Sequence, residues 1–157
     1  MKFLIFFIFA ISTALGQNYT CPNDFSLFQN VCFYVGNNGK VITWADARLH
    51  CQSLGKGIDL ASIHNAFEQA YIASQSHAKD TWIGLYNEAG DWSWVDGSLL
   101  DYTDWVKNEP SGDDPCTRLD QSKNLLWNNN NCDGVYGLWP FDTSITQYAC
   151  RTAATSS

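Results

Sequence analysis

Nine acidic side chains fall between residues 88 and 120, where only Lys107 and Arg118 are basic. The acids are Glu88, Asp91, Asp96, Asp101, Asp104, Glu109, Asp113, Asp114 and Asp120. Carboxylates beside polar loops can supply the six to eight oxygen ligands that Ca²⁺ takes. A solvated acidic face explains the same charge pattern equally well. The segment is therefore a candidate site for a hard cation.

Catalysis is the second chemistry that the residue types allow. A secreted hydrolase could use paired carboxylates or histidines. The candidates are Asp113 with Asp114, and His50, His64 and His77. The histidines lack the helical spacing of a metal site, and no nucleophile motif is present. We therefore expect a binding protein and no enzyme.

The six cysteines indicate disulfides. They are Cys21, Cys32, Cys51, Cys116, Cys132 and Cys150. No two of them have the C-x-x-C spacing of zinc sites and redox motifs. The even count leaves no spare thiol, and spacing alone permits 15 pairings.

Length and charge limit the classes of function. A chain of 157 residues with 45% hydrophobic and 15% aromatic residues can bury the core of one domain. Its net charge of −7 repels phosphate backbones and anionic lipid surfaces. We expect no nucleic-acid partner.

The first residues have the pattern of a secretory leader. Lys2 precedes nine apolar residues, 3–11, and Ala14-Leu15-Gly16 forms a cleavable small-x-small pattern. We interpret residues 1–16 as a signal peptide, because the apolar run is too short to span a membrane. The mature chain, residues 17–157, is then extracellular, without a membrane anchor, and the sequon at Asn18 can carry a glycan.

Periodicity predicts helices first and strands later. An apolar stripe at Trp44, Ala47, Cys51 and Leu54 follows Thr43 and indicates a first helix that Gly55 can end. A second helix is predicted from Asn65, which forms a capping-box pattern with Glu68, to about Gln75, with Phe67, Ala70 and Tyr71 on one face.

Residues 81–86 and 92–95 are β-rich, with a turn at Asp96-Gly97. This order of helices and strands predicts an α+β fold with one domain over residues 21–150. We interpret Trp82, Trp92, Trp94, Trp105 and Trp127 as core residues.

Six short motifs, in this order, resemble those of the C-type lectin-like domain family. They are Thr43-Trp44-Ala45-Asp46-Ala47-Arg48 before Cys51, Leu60-Ala61-Ser62-Ile63-His64, Trp82-Ile83-Gly84-Leu85, Trp92-Ser93-Trp94-Val95-Asp96-Gly97, Trp105 before Glu109-Pro110, and Trp127-Asn128 before Cys132. The resemblance covers residues 21–150. It implies the family's fold, two helices with small antiparallel sheets and long loops. It also implies the disulfides Cys51–Cys150, Cys116–Cys132 and, in the long form, Cys21–Cys32.

The resemblance also implies a calcium site that binds sugar. Carried over residue by residue, its metal positions fall on Glu109, Ser111, Asp114, Asn128 and Asn129, with all but Ser111 also contacting the sugar. The Glu109-Pro110 bond is expected to be cis. Ser111 replaces the family's asparagine and Asn129 replaces its aspartate. We therefore expect weaker calcium binding, and Asp113 could take the place of Asp114.

Two functional interpretations follow from this resemblance. In the first, calcium is the cofactor and glycans or glycoproteins are the partners. Two adjacent sugar hydroxyls complete the calcium shell, and Glu109 favours mannose- and glucose-type equatorial diols over galactose. In the second, the same fold binds a protein, lipid or other surface without calcium.

The segment between the last two cysteines is longer than the resemblance predicts. Residues 133–149 include Tyr136, Leu138, Trp139, Pro140 and Phe141. This segment could extend the binding face, or it could fold back onto its own hydrophobic residues, which the frequent burial of such groups favours.

Overall fold

The computed structural model describes residues 17–136 and 143–156. Helix α1 spans Trp44–Ser53, and helix α2 spans Ala66–Gln75. A 3-10 helix, Gln121–Lys123, follows later in the chain. The strands are β1 Tyr19–Thr20, β2 Ser26–Phe28, β3 Val31–Asn37, β4 Asp59–Leu60, β5 Thr81–Glu88, β6 Asp91–Trp94, β7 Cys116–Asp120, β8 Leu126–Asn130, β9 Val135–Tyr136, β10 Thr143–Ser144, β11 Gln147–Ala153 and β12 Thr155–Ser156.

Helix α1 forms where the apolar stripe predicts it. The side chain of Thr43 caps its first turn by accepting a hydrogen bond from the backbone N–H of Asp46 at 3.0 Å. Trp44, Ala47 and Cys51 are its buried residues, as predicted, but Leu54, the fourth residue of the predicted stripe, is the C-cap and is exposed. The helix therefore presents one apolar face to the sheet.

Helix α2 begins at the predicted cap, but its buried face differs from the prediction. Asn65 Oδ1 accepts hydrogen bonds from the backbone N–H groups of Phe67 and Glu68, both at 3.0 Å. The predicted apolar face of Phe67, Ala70 and Tyr71 is not the buried one, because Phe67 is 72% exposed, Ala70 is exposed and Tyr71 is half-buried.

The buried residues of α2 are Ile72 and two polar residues, Glu68 and Gln69, whose side chains bond to partners elsewhere in the fold. Glu68 Oε2 accepts a hydrogen bond from Arg151 Nη1 at 2.7 Å. Gln69 Oε1 accepts one from Trp127 Nε1 at 2.9 Å. These bonds satisfy the polar groups inside the protein, so the helix turns this face inward.

The main sheet has the strand order β2-β3-β11-β5-β7-β8. Strand β11 pairs with β5 in parallel, and the other pairs along this path are antiparallel. Strand β6 pairs with β5, and β4 pairs with β11. The α+β class is confirmed, as are the strands predicted at residues 81–86 and 92–95 and the turn at Gly97, whose N–H donates to Trp94 O at 3.0 Å. The predicted order, with the helices before the strands, is wrong, because β1, β2 and β3 precede α1.

The predicted tryptophans form the core beside this sheet. Trp82, Trp94 and Trp127 are buried, and Trp92 and Trp105 are half-buried. Trp127 packs edge-to-face against Trp94 and Trp105, with ring centroids 5.4 and 5.6 Å apart. Trp127, the residue before Asn128 and Asn129, is therefore packed between aromatic rings in the core.

All six cysteines are paired, and the three predicted disulfides are confirmed. Cys51–Cys150 joins α1 to β11. Cys21–Cys32 closes the N-terminal segment, and Cys116–Cys132 joins the start of β7 to the segment after β8.

Candidate functional site

The predicted site lies on the segment before β7, which we call the recognition loop and define as residues 106–115. At its start, the backbone N–H of Val106 donates to Trp127 O at 2.8 Å. At its end, Pro115 O accepts from the N–H of Asn87 at 2.9 Å. The loop is therefore held by the sheet at both ends.

Glu109 occupies the first turn of this loop. Its peptide bond to Pro110 is cis, as predicted. The residue is half-buried, and its carboxylate oxygen Oε2 is shielded from solvent without a hydrogen-bond partner among the described residues. Burial of a carboxylate oxygen without a donor costs free energy. Glu109 therefore has unmet bonding capacity, which a hydrogen-bond donor or a cation would satisfy.

Asn129, on β8, uses both ends of its carboxamide to hold the loop. Its Oδ1 accepts from the N–H of Ser111 at 3.1 Å. Its Nδ2 donates to Ser111 O at 2.7 Å and to Asp114 O at 3.0 Å. Asn129 is only 7% exposed. We call this set of three hydrogen bonds the amide clamp.

Asn128 does not join the other predicted ligands. Its Nδ2 donates to Asp120 Oδ2 at 2.9 Å, at the end of β7. Successive residues of a strand point to opposite faces of a sheet, so Asn128 and Asn129 diverge. The adjacent pair of ligands that the resemblance implied is therefore split between two faces.

The remaining predicted residues lie on the surface of the loop. Ser111, Asp113 and Asp114 are all exposed. The structure brings Ser111 and Asp114 together through their main chains, which the amide clamp ties to Asn129. Asp113 lines a cleft of about 540 Å³ between the recognition loop and the β5–β6 turn.

This arrangement offers calcium fewer oxygen ligands than the shell that the resemblance implies. A cation attracts oxygens, but the amide clamp points N–H donors at two loop carbonyls. Within residues 17–136 and 143–156, no three His, Cys, Asp or Glu side chains form a group that could hold a metal ion. The unpartnered carboxylate oxygen of Glu109 would still attract a cation.

A buried charged cluster that the sequence analysis missed lies behind Asn128. Arg118 contacts Asp120 at 2.8 Å and Asp80 at 3.5 Å, and it also donates to Asn130. Arg118 and Asp120 stand two residues apart in a β-rich segment, so they share a face. An acid and a base at that spacing were the signal that could have revealed the cluster.

Asp120 is the most fully bonded carboxylate of this cluster. Burial raises its pKa, but hydrogen bonds from Asn128 and Ser122 and the charge of Arg118 lower it more, so the pKa lies below the ordinary 3.8. Tyr136 donates to Asp80, and its ring lies 3.5 Å from the Arg118 guanidinium carbon. Burial, together with the hydrogen bond to Asp80, raises the pKa of Tyr136. The cluster fixes the back of β7 and β8.

Thr117 is a second residue that the sequence analysis missed. It lies directly opposite Asn129 in the β7–β8 pairing. Its side chain is fully buried, and its hydroxyl has no partner among the described residues. Directly opposed strand residues lie about 5 Å apart at Cβ, so this hydroxyl stands beside the amide clamp.

Within the described residues, His64 is the histidine that contacts both a serine and an aspartate, as in a catalytic triad. His64 Nδ1 lies 2.7 Å from Asp101 Oδ1, and Nε2 lies 3.2 Å from Ser62 Oγ. Ser62 is fully buried and donates its hydroxyl proton to Asp96 at 2.6 Å. The serine proton therefore points away from His64, and the row is not arranged as a nucleophile with its base.

The other predicted histidines and the described part of the long segment near the C-terminus lie outside the recognition loop. His50 packs edge-on against Tyr148 at 5.1 Å, and His77 is exposed after α2. In the long segment, Tyr136 is half-buried against the charged cluster. Leu138, Trp139, Pro140 and Phe141 lie outside the described residues, as does the predicted leader.

Neither helix in the described ranges has the length and apolar character needed to cross a membrane.

Known proteins resemble this chain in sequence and in fold. A family model described as "Lectin C-type domain" matches residues 40–138. The human low affinity immunoglobulin epsilon Fc receptor is 36% identical over 133 residues, which are 81% of this chain and 39% of that receptor. The chain thus spans well under half of that relative, and 29% of a second one, C-type lectin domain family 4 member M from Nomascus concolor.

Two solved structures share the fold over most of its length. A calcium-independent type II antifreeze protein has a TM-score of 0.71 and 31% identity, covering 88% of this chain and 98% of that one. The carbohydrate-recognition domain of cow CD23, solved with a GlcNAc2Man3 oligosaccharide, has a TM-score of 0.72 and 29% identity, covering 88% and 99%.

Proposed function

Because the chain belongs to the C-type lectin domain family, we propose that it is a carbohydrate-binding module whose recognition surface is the recognition loop together with strand β8. The observation that carries this proposal is the shielded Glu109 oxygen without a donor. Sugar hydroxyls are donors, and a hydrogen bond to a charged acceptor contributes about 1.5–3 kcal/mol. A bound sugar hydroxyl would supply the hydrogen bond that this Glu109 oxygen lacks.

The charge around the loop selects the class of sugar. Glu109, Asp113 and Asp114 lie on the loop itself, where Lys107 is the one base. Like charges repel, so sialylated or sulfated glycans are disfavoured. We infer that the partners are neutral glycans or glycoproteins, and the preference for mannose- and glucose-type diols remains a prediction from Glu109.

Calcium is a weak ligand of this module in our proposal. Glu109 and Asp114 are the carboxylates that would hold it, and calcium would supply direct coordination of sugar hydroxyls when bound. Glu109 accepts sugar hydroxyls by itself, and the amide clamp shapes the loop. The likeness to a calcium-independent antifreeze protein supports a loop that keeps its shape without the ion.

We place the protein outside the cell. All six cysteines form disulfides, which persist in oxidising compartments and are rare in the cytosol. The predicted leader, residues 1–16, and the predicted glycan at Asn18, which is exposed, agree with secretion. N-terminal sequencing of the secreted protein tests the predicted start at Gln17.

A glycan array with calcium and with chelator tests the proposed function. We expect neutral glycans to bind in both conditions, with a stronger signal in calcium. Glu109→Gln, which keeps the side-chain shape, should lose most of the signal. Glu88→Gln is the matched control, because Glu88 is an exposed glutamate at the end of β5, next to the β5–β6 turn. Equal signals from both variants would contradict the proposal.

The second candidate function is binding of a protein, lipid or other surface without calcium. It is favoured by two large exposed apolar side chains, Phe67 at 72% and Leu99 at 80%, and by the likeness to the antifreeze protein. An array without any glycan signal, in calcium or in chelator, would favour this candidate.

A further inference from the structure

The amide clamp saturates the carboxamide of Asn129 with loop contacts. An asparagine side chain carries two N–H donors and one carbonyl acceptor. Both donors find loop carbonyls, those of Ser111 and Asp114, and the acceptor takes the N–H of Ser111. The recognition loop is therefore folded onto a single buried side chain of β8.

A carboxylate at this position could not make the same contacts. An aspartate is an acceptor only, so it would keep the bond from Ser111 N–H and lose both donated bonds. Its oxygens would then face the carbonyls of Ser111 and Asp114, at the 2.7 and 3.0 Å that now separate nitrogen from oxygen. The aspartate oxygen and the two carbonyl oxygens would repel one another, because no hydrogen-bond donor lies between them, unless a cation binds there.

We propose that the carboxamide of Asn129 takes the place of a bound cation in holding the recognition loop, and that Asn129→Asp converts the loop into one that calcium must order. Whether the loop needs calcium in order to be folded then depends on the side chain at position 129. This inference concerns the order of the loop and stands whether or not the loop binds sugar.

Hydrogen exchange followed by mass spectrometry tests the inference on peptides that cover residues 106–116. In the wild type, we expect the loop to exchange slowly in chelator as well as in calcium, with at most a small difference between the two. In Asn129→Asp, loss of two hydrogen bonds should speed exchange by about tenfold or more in chelator, and calcium should restore the slow rate.

Two further variants separate charge from hydrogen bonding. Asn131→Asp is the matched control, since Asn131 is exposed in the same asparagine run and its Oδ1, which an aspartate would keep, accepts from the N–H of Asp133. It should behave as the wild type does. Asn129→Ala removes the clamp without adding charge, so its loop should exchange fast in both conditions.

Three results would overturn the inference. They are a wild-type loop that exchanges about tenfold or more faster in chelator than in calcium, an Asn129→Asp loop as protected in chelator as the wild type, and an Asn129→Ala loop with wild-type protection. Peptides from β3 and β11 report whether each variant is folded. If Asn129→Asp does not fold, Asn129→Ala tests the inference instead. The amide clamp predicts that this variant loses exchange protection in the recognition loop and nowhere else. A failed glycan array would leave each of these results unchanged.

Discussion

Asn128 and Asn129 are neighbours on strand β8 and bond to opposite sides of it. Asn128 donates to Asp120 in the buried charged cluster at 2.9 Å. Asn129 holds the recognition loop through three hydrogen bonds. The pleat of the strand imposes this division. One asparagine therefore belongs to the scaffold and the other to the site.

The first prediction concerns the charge of Glu109. Glu109→Gln should weaken binding of the best neutral glycan about tenfold, because a hydrogen bond to a charged acceptor exceeds a neutral one by about 1.4 kcal/mol. Isothermal titration calorimetry in chelator measures the affinity. Glu88→Gln should keep wild-type affinity. An unchanged affinity in Glu109→Gln would remove Glu109 from the site.

The second prediction concerns calcium and thermal stability. A site with a dissociation constant of about 1 mM gains RT ln 11, about 1.4 kcal/mol, from about 10 mM calcium. Asn129→Asp should therefore gain about 3–6 °C in melting temperature. Wild type and Asn131→Asp should gain less, because they lack the additional carboxylate at position 129. If neither wild type nor Asn129→Asp responds, the carried-over calcium site is absent from this protein.

The third prediction ranks the disulfides. The chain-entropy estimate makes the Cys51–Cys150 bridge, with a separation of 99 residues, worth about 4.7 kcal/mol. The same estimate makes Cys21–Cys32, with a separation of 11, worth about 2.8 kcal/mol. Double alanine variants in urea should therefore lose more stability for the first pair than for the second. The reverse order would contradict the ranking.

The fold was predictable because its signals are local or covalent. The stripe of Trp44, Ala47 and Cys51 needs only helical spacing, and the six cysteines occur at places that resemble those of one family. The error in α2 has a physical cause. Exposure of Phe67 and burial of Glu68 depend on Arg151, which is 83 residues away in the chain, and no local pattern encodes that partner.

The location of the candidate site was predictable from the sequence, but the contacts of Asn128 and Asn129 were not. Spacing could place Glu109, Ser111 and Asp114 on one loop. It could not show that Asn129 points its N–H groups at the loop carbonyls, because that depends on the backbone path of residues 111–114. The turn of Asn128 toward Asp120 likewise follows from strand pairing, which brings Asn128 opposite Arg118.

The fourth prediction concerns acid stability. Because the pKa of Asp120 lies below 3.8 in the folded state, its contribution is present above about pH 4 and is lost as the pH falls through the folded-state pKa. Asp120→Asn should therefore lose about 2 kcal/mol or more of unfolding free energy at pH 7, since it leaves Arg118 short of a buried partner. The difference from wild type should shrink as the pH falls below 4.

Urea unfolding of both proteins between pH 3 and 7 measures this difference. Asp133→Asn, at an exposed aspartate, is the control for the loss of one carboxylate and should track the wild type. A pH-independent gap between wild type and Asp120→Asn would show that the Asp120 carboxylate does not supply this stability through its ionisation.

The most direct measurement of the central claim is a two-dimensional amide NMR titration with the best neutral glycan, in chelator. We expect chemical-shift changes confined to the recognition loop and β8. The side-chain amide signal of Asn129 should be present before and after the glycan is added. Shifts elsewhere on the sheet, or no shifts until calcium is supplied, would contradict it.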